Sequence, residues 1–180
     1  AGDHIILIGA IRAFDMREAN PLGYARGGYV TLGLEQAAVN AASKSHTVVG
    51  AILECNGRLV AERDAATGRL RLPEVGRSGA SGTASLLQSE LQTKGLDAQL
   101  GFLFAVFENP ETHVQSIYYR GEAASAGRGS ELLAFDGLPY EAFPEEAVRV
   151  MLRRYADERQ QGRFKIYSGN HQRGEVRALG

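Results

Sequence analysis

A chain of 180 residues is long enough to bury a full hydrophobic core, and its 44% apolar and 23% charged residues are those of an ordinary globular protein. A net charge of −1 and a pI near 6.5 leave no electrostatic footprint for nucleic acid or an anionic membrane. The single cysteine, Cys55, excludes an intrachain disulfide and a multi-cysteine metal site, and its apolar surroundings mark it as a small buried hydrophobe.

The first predicted element is a strand over residues 4–13, built on Ile5-Ile6-Leu7-Ile8-Gly9-Ala10-Ile11. Its length and β-branched content are those of a buried strand. A buried strand needs neighbours on both sides, nothing before it supplies one, and no initiator Met is present. The chain is therefore expected to be a piece of something longer. A turn-rich link ending at Pro21 leads to Leu22-Gly23-Tyr24-Ala25-Arg26-Gly27-Gly28-Tyr29-Val30. Residues 34–43 are helix-prone, with Glu35 in the first turn, as suits a connecting helix. Strands are predicted over 47–54 and 58–63, joined at Asn56-Gly57, a hairpin signal. A short strand, Leu70-Arg71-Leu72-Pro73, runs into a glycine-rich loop. A helix over 83–93 then carries Ala84, Leu87 and Leu91 on one face and stops at Gly95.

The second half repeats the alternation. A strand is predicted over 100–108, a turn over 109–112, a hairpin partner over 114–120 and a flexible loop over 121–130. A short strand at 132–135 precedes a helix from Pro144 to Gln161 with Val148, Met151, Leu152 and Tyr155 on its apolar face. Arg149, Arg153, Arg154 and Arg159 are assigned to its outer face and C-terminal end. The aromatic tail over 164–171 is expected to pack back on the domain. The pattern predicts one mixed sheet with two helices, an α/β (α+β) fold. No run is apolar for long enough to span a bilayer and no signal-peptide pattern opens the sequence, so a cytoplasmic location with no membrane or nucleic-acid partner is expected.

The order of elements, with Leu72-Pro73-Glu74-Val75-Gly76, Ser89-Glu90-Leu91 and Gly95-Leu96, resembles the Nudix family. The resemblance implies a Nudix-like α/β/α sandwich with a mixed sheet over residues 47–180. In active members an Arg-Glu pair and a Glu-Glu pair on this helix hold divalent metals against a pyrophosphate. Mg²⁺ requires such oxygen ligands in near-octahedral geometry. Anchored on Gly95, those positions here hold Gln88, Ser89, Gln92 and Thr93; anchored on Glu90, the second pair becomes Thr93 and Lys94. The upstream acidic position falls in Gly79-Ala80-Ser81-Gly82. Glu90 is thus the one candidate Nudix-box carboxylate, and its other reading is a solvated residue paired with Lys94 at i,i+4. No metal site is expected.

A second resemblance lies in Gly2-Asp3-His4-Ile5-Ile6-Leu7-Ile8-Gly9, Pro21-Leu22-Gly23-Tyr24 and Arg26-Gly27-Gly28-Tyr29. Residues 1–31 resemble the C-terminal end of the flavin reductase-like FMN-binding family. This implies that residues 1–32 are the terminal strand segment of that family's β-barrel, followed by a linker helix over 33–46. It also implies that the intact protein reduces FMN or FAD with NAD(P)H as a homodimer and supplies a partner flavin-dependent monooxygenase. By that carry-over His4, Tyr24 and Arg26 lie near the flavin and nicotinamide; the alternative is that His4 caps a strand and Tyr24 fills core. The piece alone is expected to hold no cofactor and to be inactive. His46, His113 and His171 lack ligand spacing and read as solvated.

Two function classes follow. In one, the Nudix-like domain is a catalytically degenerate module that binds a small-molecule or nucleotide effector, contacts the partner oxygenase or serves the dimer interface. In the other, it is a divergent Nudix hydrolase cleaving a nucleoside diphosphate derivative with acids from elsewhere, such as Glu108, Glu111 or Glu131.

Overall fold

The computed structural model describes residues 10, 12–13, 22–25, 28–31, 47–77, 83–109, 111–170 and 174–178. Two short strands come first: β1 (Leu22–Ala25) and β2 (Gly28–Thr31) pair antiparallel as a sheet of their own, with Tyr24 opposite Tyr29. The strand expected over 4–13 does not reach its expected end, because Ala10, Arg12 and Ala13 are exposed and belong to no strand. Its remainder and the helix expected over 34–43 lie outside the described residues.

The main sheet is organised around β3 (Thr47–Cys55). Along the chain follow β4 (Arg58–Arg63), β5 (Leu70–Arg71), β6 (Glu74–Arg77), α1 (Thr83–Thr93), β7 (Ala98–Glu108), β8 (Gln115–Ala123) and β9 (Ser130–Leu133). A 3-10 turn at Tyr140–Ala142 then precedes α2 (Glu146–Gln161), β10 (Lys165–Asn170) and β11 (Gly174–Ala178). The strand order is β11-β10-β7-β8-β3-β4-β5, with β6 paired to the first half of β3 and β9 paired to β4. The β3–β8 and β7–β10 pairs are parallel and the others antiparallel, so the sheet is mixed as expected.

Because β3 has partners on both sides, it is apolar on both faces. Val49, Ala51, Leu53 and Cys55 join one core, which takes Leu87 and Leu91 from α1; Ile52 joins the other, which takes Val148, Met151, Leu152 and Tyr155 from α2. The sheet therefore carries one helix on each face. The β3–β4 hairpin closes at Asn56 and Gly57, with φ of 51° and 72°, the two left-handed residues that a tight hairpin turn requires.

Several boundaries differ from the sequence reading. The stretch read as the start of a glycine-rich loop forms β6, and β8 takes three residues from the loop expected at 121–130. The short strand expected at 132–135 forms two residues earlier. Pro144 lies before the helix, where Glu145 is the N-cap. The tail does more than pack back: it forms a hairpin, β10–β11, that extends the sheet beside β7. Among the described residues no helix is long and apolar enough to cross a membrane.

Candidate functional site

α1 presents the residues that occupy the expected Nudix-box positions. Gln88 spends its side-chain amide on the Ala98 carbonyl at 2.6 Å, and the Thr93 hydroxyl donates to the Ser89 carbonyl at 3.0 Å. Glu90 is half-buried. The pair expected between Glu90 and Lys94 does not form; Lys94 Nζ reaches Glu62 Oε1 on β4 at 2.8 Å instead, and Arg71 Nε lies 3.4 Å from Glu62 Oε2. Glu62 keeps only 15% of its side chain exposed, so its desolvated carboxylate attracts cations more strongly than a wetter one. One carboxylate among amides and hydroxyls does not fit a hard divalent cation. Among the described residues no three His, Cys, Asp or Glu side chains gather as a metal would need.

Of the acids named for a divergent hydrolase, Glu131 stands apart from Glu108 and Glu111, which line one cleft. Glu131 is held by Arg63 through two contacts of 2.5 and 2.8 Å, Glu108 lies 3.0 Å from His113 Nδ1, and Glu111 is exposed. His113 is 77% exposed, as a solvated histidine would be. His4, Arg26, His46 and His171 lie outside the described residues, and Tyr24 is placed only by its backbone in β1.

The opposite face of the sheet holds what the sequence reading missed. The Tyr118 hydroxyl donates to Glu74 Oε1 at 2.6 Å. Gly50 makes the room: a Cβ there would stand 2.5 Å from the Tyr118 ring and 2.9 Å from Glu74 Cγ. Burial pushes the Glu74 carboxyl up to about 7, an effect that Glu145 reinforces and the Tyr118 hydrogen bond opposes. Burial, followed by the neighbouring Glu74, likewise raises the Tyr118 hydroxyl well above its ordinary value. A signal was present in the sequence, since a glycine inside a strand marks close approach of another group.

Beside this pair, α2 begins short of the sheet's end. One row of the sheet, Val48 on β3, Ser116 on β8 and Phe107 on β7, is left as the floor of a cleft of about 400 Å³. Its walls include Glu111 and, from the start of α2, Glu145, Glu146 and Ala147.

Further along, α2 sends polar groups into the sheet, so the outer-face assignment of its arginines needs correcting. Arg154 donates to the Phe104 carbonyl at 3.0 Å and to the Lys165 carbonyl at 3.1 Å, with its guanidinium 3.8 Å from the Phe104 ring centre. The Tyr155 hydroxyl and Arg159 Nε both donate to the Glu54 carboxylate at 2.8 Å. Burial, with Glu54 adding to it, raises the Tyr155 hydroxyl above its ordinary value. Arg149 binds Glu146 and the carbonyls of Phe143 and Pro144, which leaves Arg153 as the half-exposed member of the set. These contacts tie α2 to β3, β7 and β10 and leave no reactive group free, so they hold the fold together.

No protein-family model matches the chain. It is 34% identical, over 99% of its length, to the "Probable flavin reductase" of Rhizobium meliloti. It is 26% identical, again over 99% of its length, to the reductase component of the flavin-dependent trigonelline monooxygenase of Acinetobacter baylyi. The chain spans 57% of the length of each of these relatives. A solved structure from Sinorhizobium meliloti described as an oxidoreductase matches at a TM-score of 0.66 and 32% identity, covering 83% of this chain and 52% of that one. A Nudix hydrolase from Nitrosomonas europaea matches at a TM-score of 0.62 and 17% identity, covering 69% of this chain and 77% of that one. The last likeness shows a shared fold and, at that identity, nothing of activity.

Proposed function

We propose that the chain is part of an NAD(P)H-dependent flavin (FMN) reductase whose Nudix-like domain, residues 47–180, is catalytically degenerate and serves binding, regulation or dimerisation. The observation that carries this reading is the extent of the similarity to flavin reductases. It runs over 99% of the chain and so includes the α/β domain as well as the N-terminal segment. A Nudix-like domain that travels with a reductase, and that lacks the carboxylates for a metal, is best read as an attachment to it.

In this reading residues 1–32 close the flavin-binding barrel and 33–46 link it to the Nudix-like domain. His4, Tyr24 and Arg26 would hold the cofactors, and a bound flavin and nicotinamide would supply hydride-transfer chemistry there. The intact protein is a cytoplasmic homodimer that supplies reduced flavin to a partner monooxygenase; the name of the Acinetobacter relative, a monooxygenase's reductase component, supports such a partnership. The test is NAD(P)H oxidation by the full-length protein with added FMN or FAD. Turnover that falls on His4→Ala supports the reading, and a full-length protein that neither binds flavin nor oxidises NAD(P)H overturns it. The competing reading, a divergent hydrolase of nucleoside diphosphate derivatives, draws on the shared fold alone.

A further inference from the structure

The cleft at the start of α2 is built unlike the rest of that face. In its floor, Val48 and Phe107 are apolar, and Phe107 stacks on Tyr118 with ring centres 5.6 Å apart at 18°. Between them stands Ser116, only 6% exposed, whose hydroxyl has no hydrogen-bond partner among the described residues. Its oxygen is not sealed from solvent but opens onto the cleft, where a ligand group can replace water.

The walls set the sign of that ligand's charge. Among the described residues four glutamates line the cleft, Glu108, Glu111, Glu145 and Glu146, and no lysine, arginine or histidine does. Glu108 is engaged by His113 and Glu146 by Arg149. Glu145 is the N-cap of α2 yet makes no side-chain cap bond, and Glu111 has no ion pair among the described residues. Two uncommitted carboxylates outweigh the charge of roughly +0.5 at the helix N-terminus, so the cleft repels anions. A hydrated Mg²⁺ or Ca²⁺ is also a poor fit, because the floor offers an aromatic ring, a valine and one hydroxyl in place of an oxygen cage.

We infer that this cleft binds a small organic cation, an ammonium or quaternary ammonium group bearing a hydrogen-bonding arm. Glu111 and Glu145 hold the charge, Phe107 and Val48 pack its alkyl groups, and Ser116 Oγ takes the arm. The site rests on the reading of the domain as a non-catalytic binding module and supplies its ligand class.

The test is calorimetric titration of the full-length protein with choline chloride at constant ionic strength. A parallel titration uses the uncharged isostere in which a tert-butyl group replaces trimethylammonium. Choline is expected to bind and the isostere to bind at least about tenfold more weakly, as loss of a charge-assisted contact implies. Glu145→Gln should weaken choline about fivefold, and Ser116→Ala by a similar factor. Glu145 is exposed, so its variant keeps the test valid if Ser116→Ala fails to fold. Equal affinity for choline and its isostere, no binding of choline, or an unchanged affinity in Glu145→Gln overturns the cation site. Flavin reduction measured on the wild-type protein separates the two ideas. Reduction without choline binding sinks the cation site and spares the reductase reading, and choline binding without reduction does the reverse.

Discussion

α1 and α2 cover opposite faces of the same sheet and differ in what they do with polar side chains. α1 contributes Leu87 and Leu91 to its core, while its polar residues bond to nearby backbone carbonyls or face solvent. α2 contributes Val148, Met151, Leu152 and Tyr155 and also drives Arg154, Tyr155 and Arg159 into the sheet, where they meet carbonyls and Glu54. The open cleft and the buried Glu74–Tyr118 pair lie on the α2 side as well. On the proposed reading, α1 keeps the packing of the fold without the carboxylates of active Nudix members. The polar groups that remain to be explained by function are on the other face.

The largest expected effect tests the packing half of this contrast. Leu91, 1% exposed, should cost about 2–5 kcal/mol on substitution by Ala, read from the urea midpoint at constant slope. A loss below about 1 kcal/mol would mean that α1 is not seated on the core as described.

Glu74 gives the next largest effect, and its sign is fixed by the direction of its shift. Its folded pKa of about 7 lies above the ordinary carboxyl value of 4.5, so the folded chain keeps a proton that the unfolded chain releases between those values. Stability is then greatest below about pH 4.5, falls as pH rises towards 7 and levels off above it, a contribution of about 3 kcal/mol. Glu74→Gln should remove this component, so that variant and wild type diverge most at pH 8. Parallel stability curves from pH 4 to 8 would contradict the buried, protonated pair.

Glu54→Gln should cost about 1–3 kcal/mol, because it weakens the acceptor for Tyr155 and Arg159. If thermal melting is unmoved, the polar anchoring of α2 contributes nothing. Smallest of all, Glu90→Gln should change stability by less than about 0.5 kcal/mol, since Lys94 pairs with Glu62.

Local signals explain which parts of this fold the sequence reading reached. Asn56-Gly57, the i,i+4 spacing of Leu87 and Leu91, and the apolar face of the last helix each carry their meaning within a few residues, and each element forms there, the last helix starting at Glu146 and not at Pro144. β6 and β10 do not, because their strand character depends on distant partners. β10 pairs Tyr167 with Ala105, and β6 pairs Glu74 with Gly50. The same holds for the candidate sites. That Gln88, Ser89, Gln92 and Thr93 are not acids is read from the helix alone, whereas Ser116 becomes notable only once β3, β7 and β8 align it between Val48 and Phe107. Arg154 illustrates the converse error: a charged residue on a helix looks solvated until the sheet supplies carbonyls beneath it.

The claim that the α1 face has lost its chemistry is tested most directly by incubating the full-length protein with a panel of nucleoside diphosphate derivatives and Mg²⁺ or Mn²⁺, and following product release. The account predicts no turnover above the metal-only blank for any member of the panel. Robust hydrolysis that disappears on Glu90→Gln would contradict it.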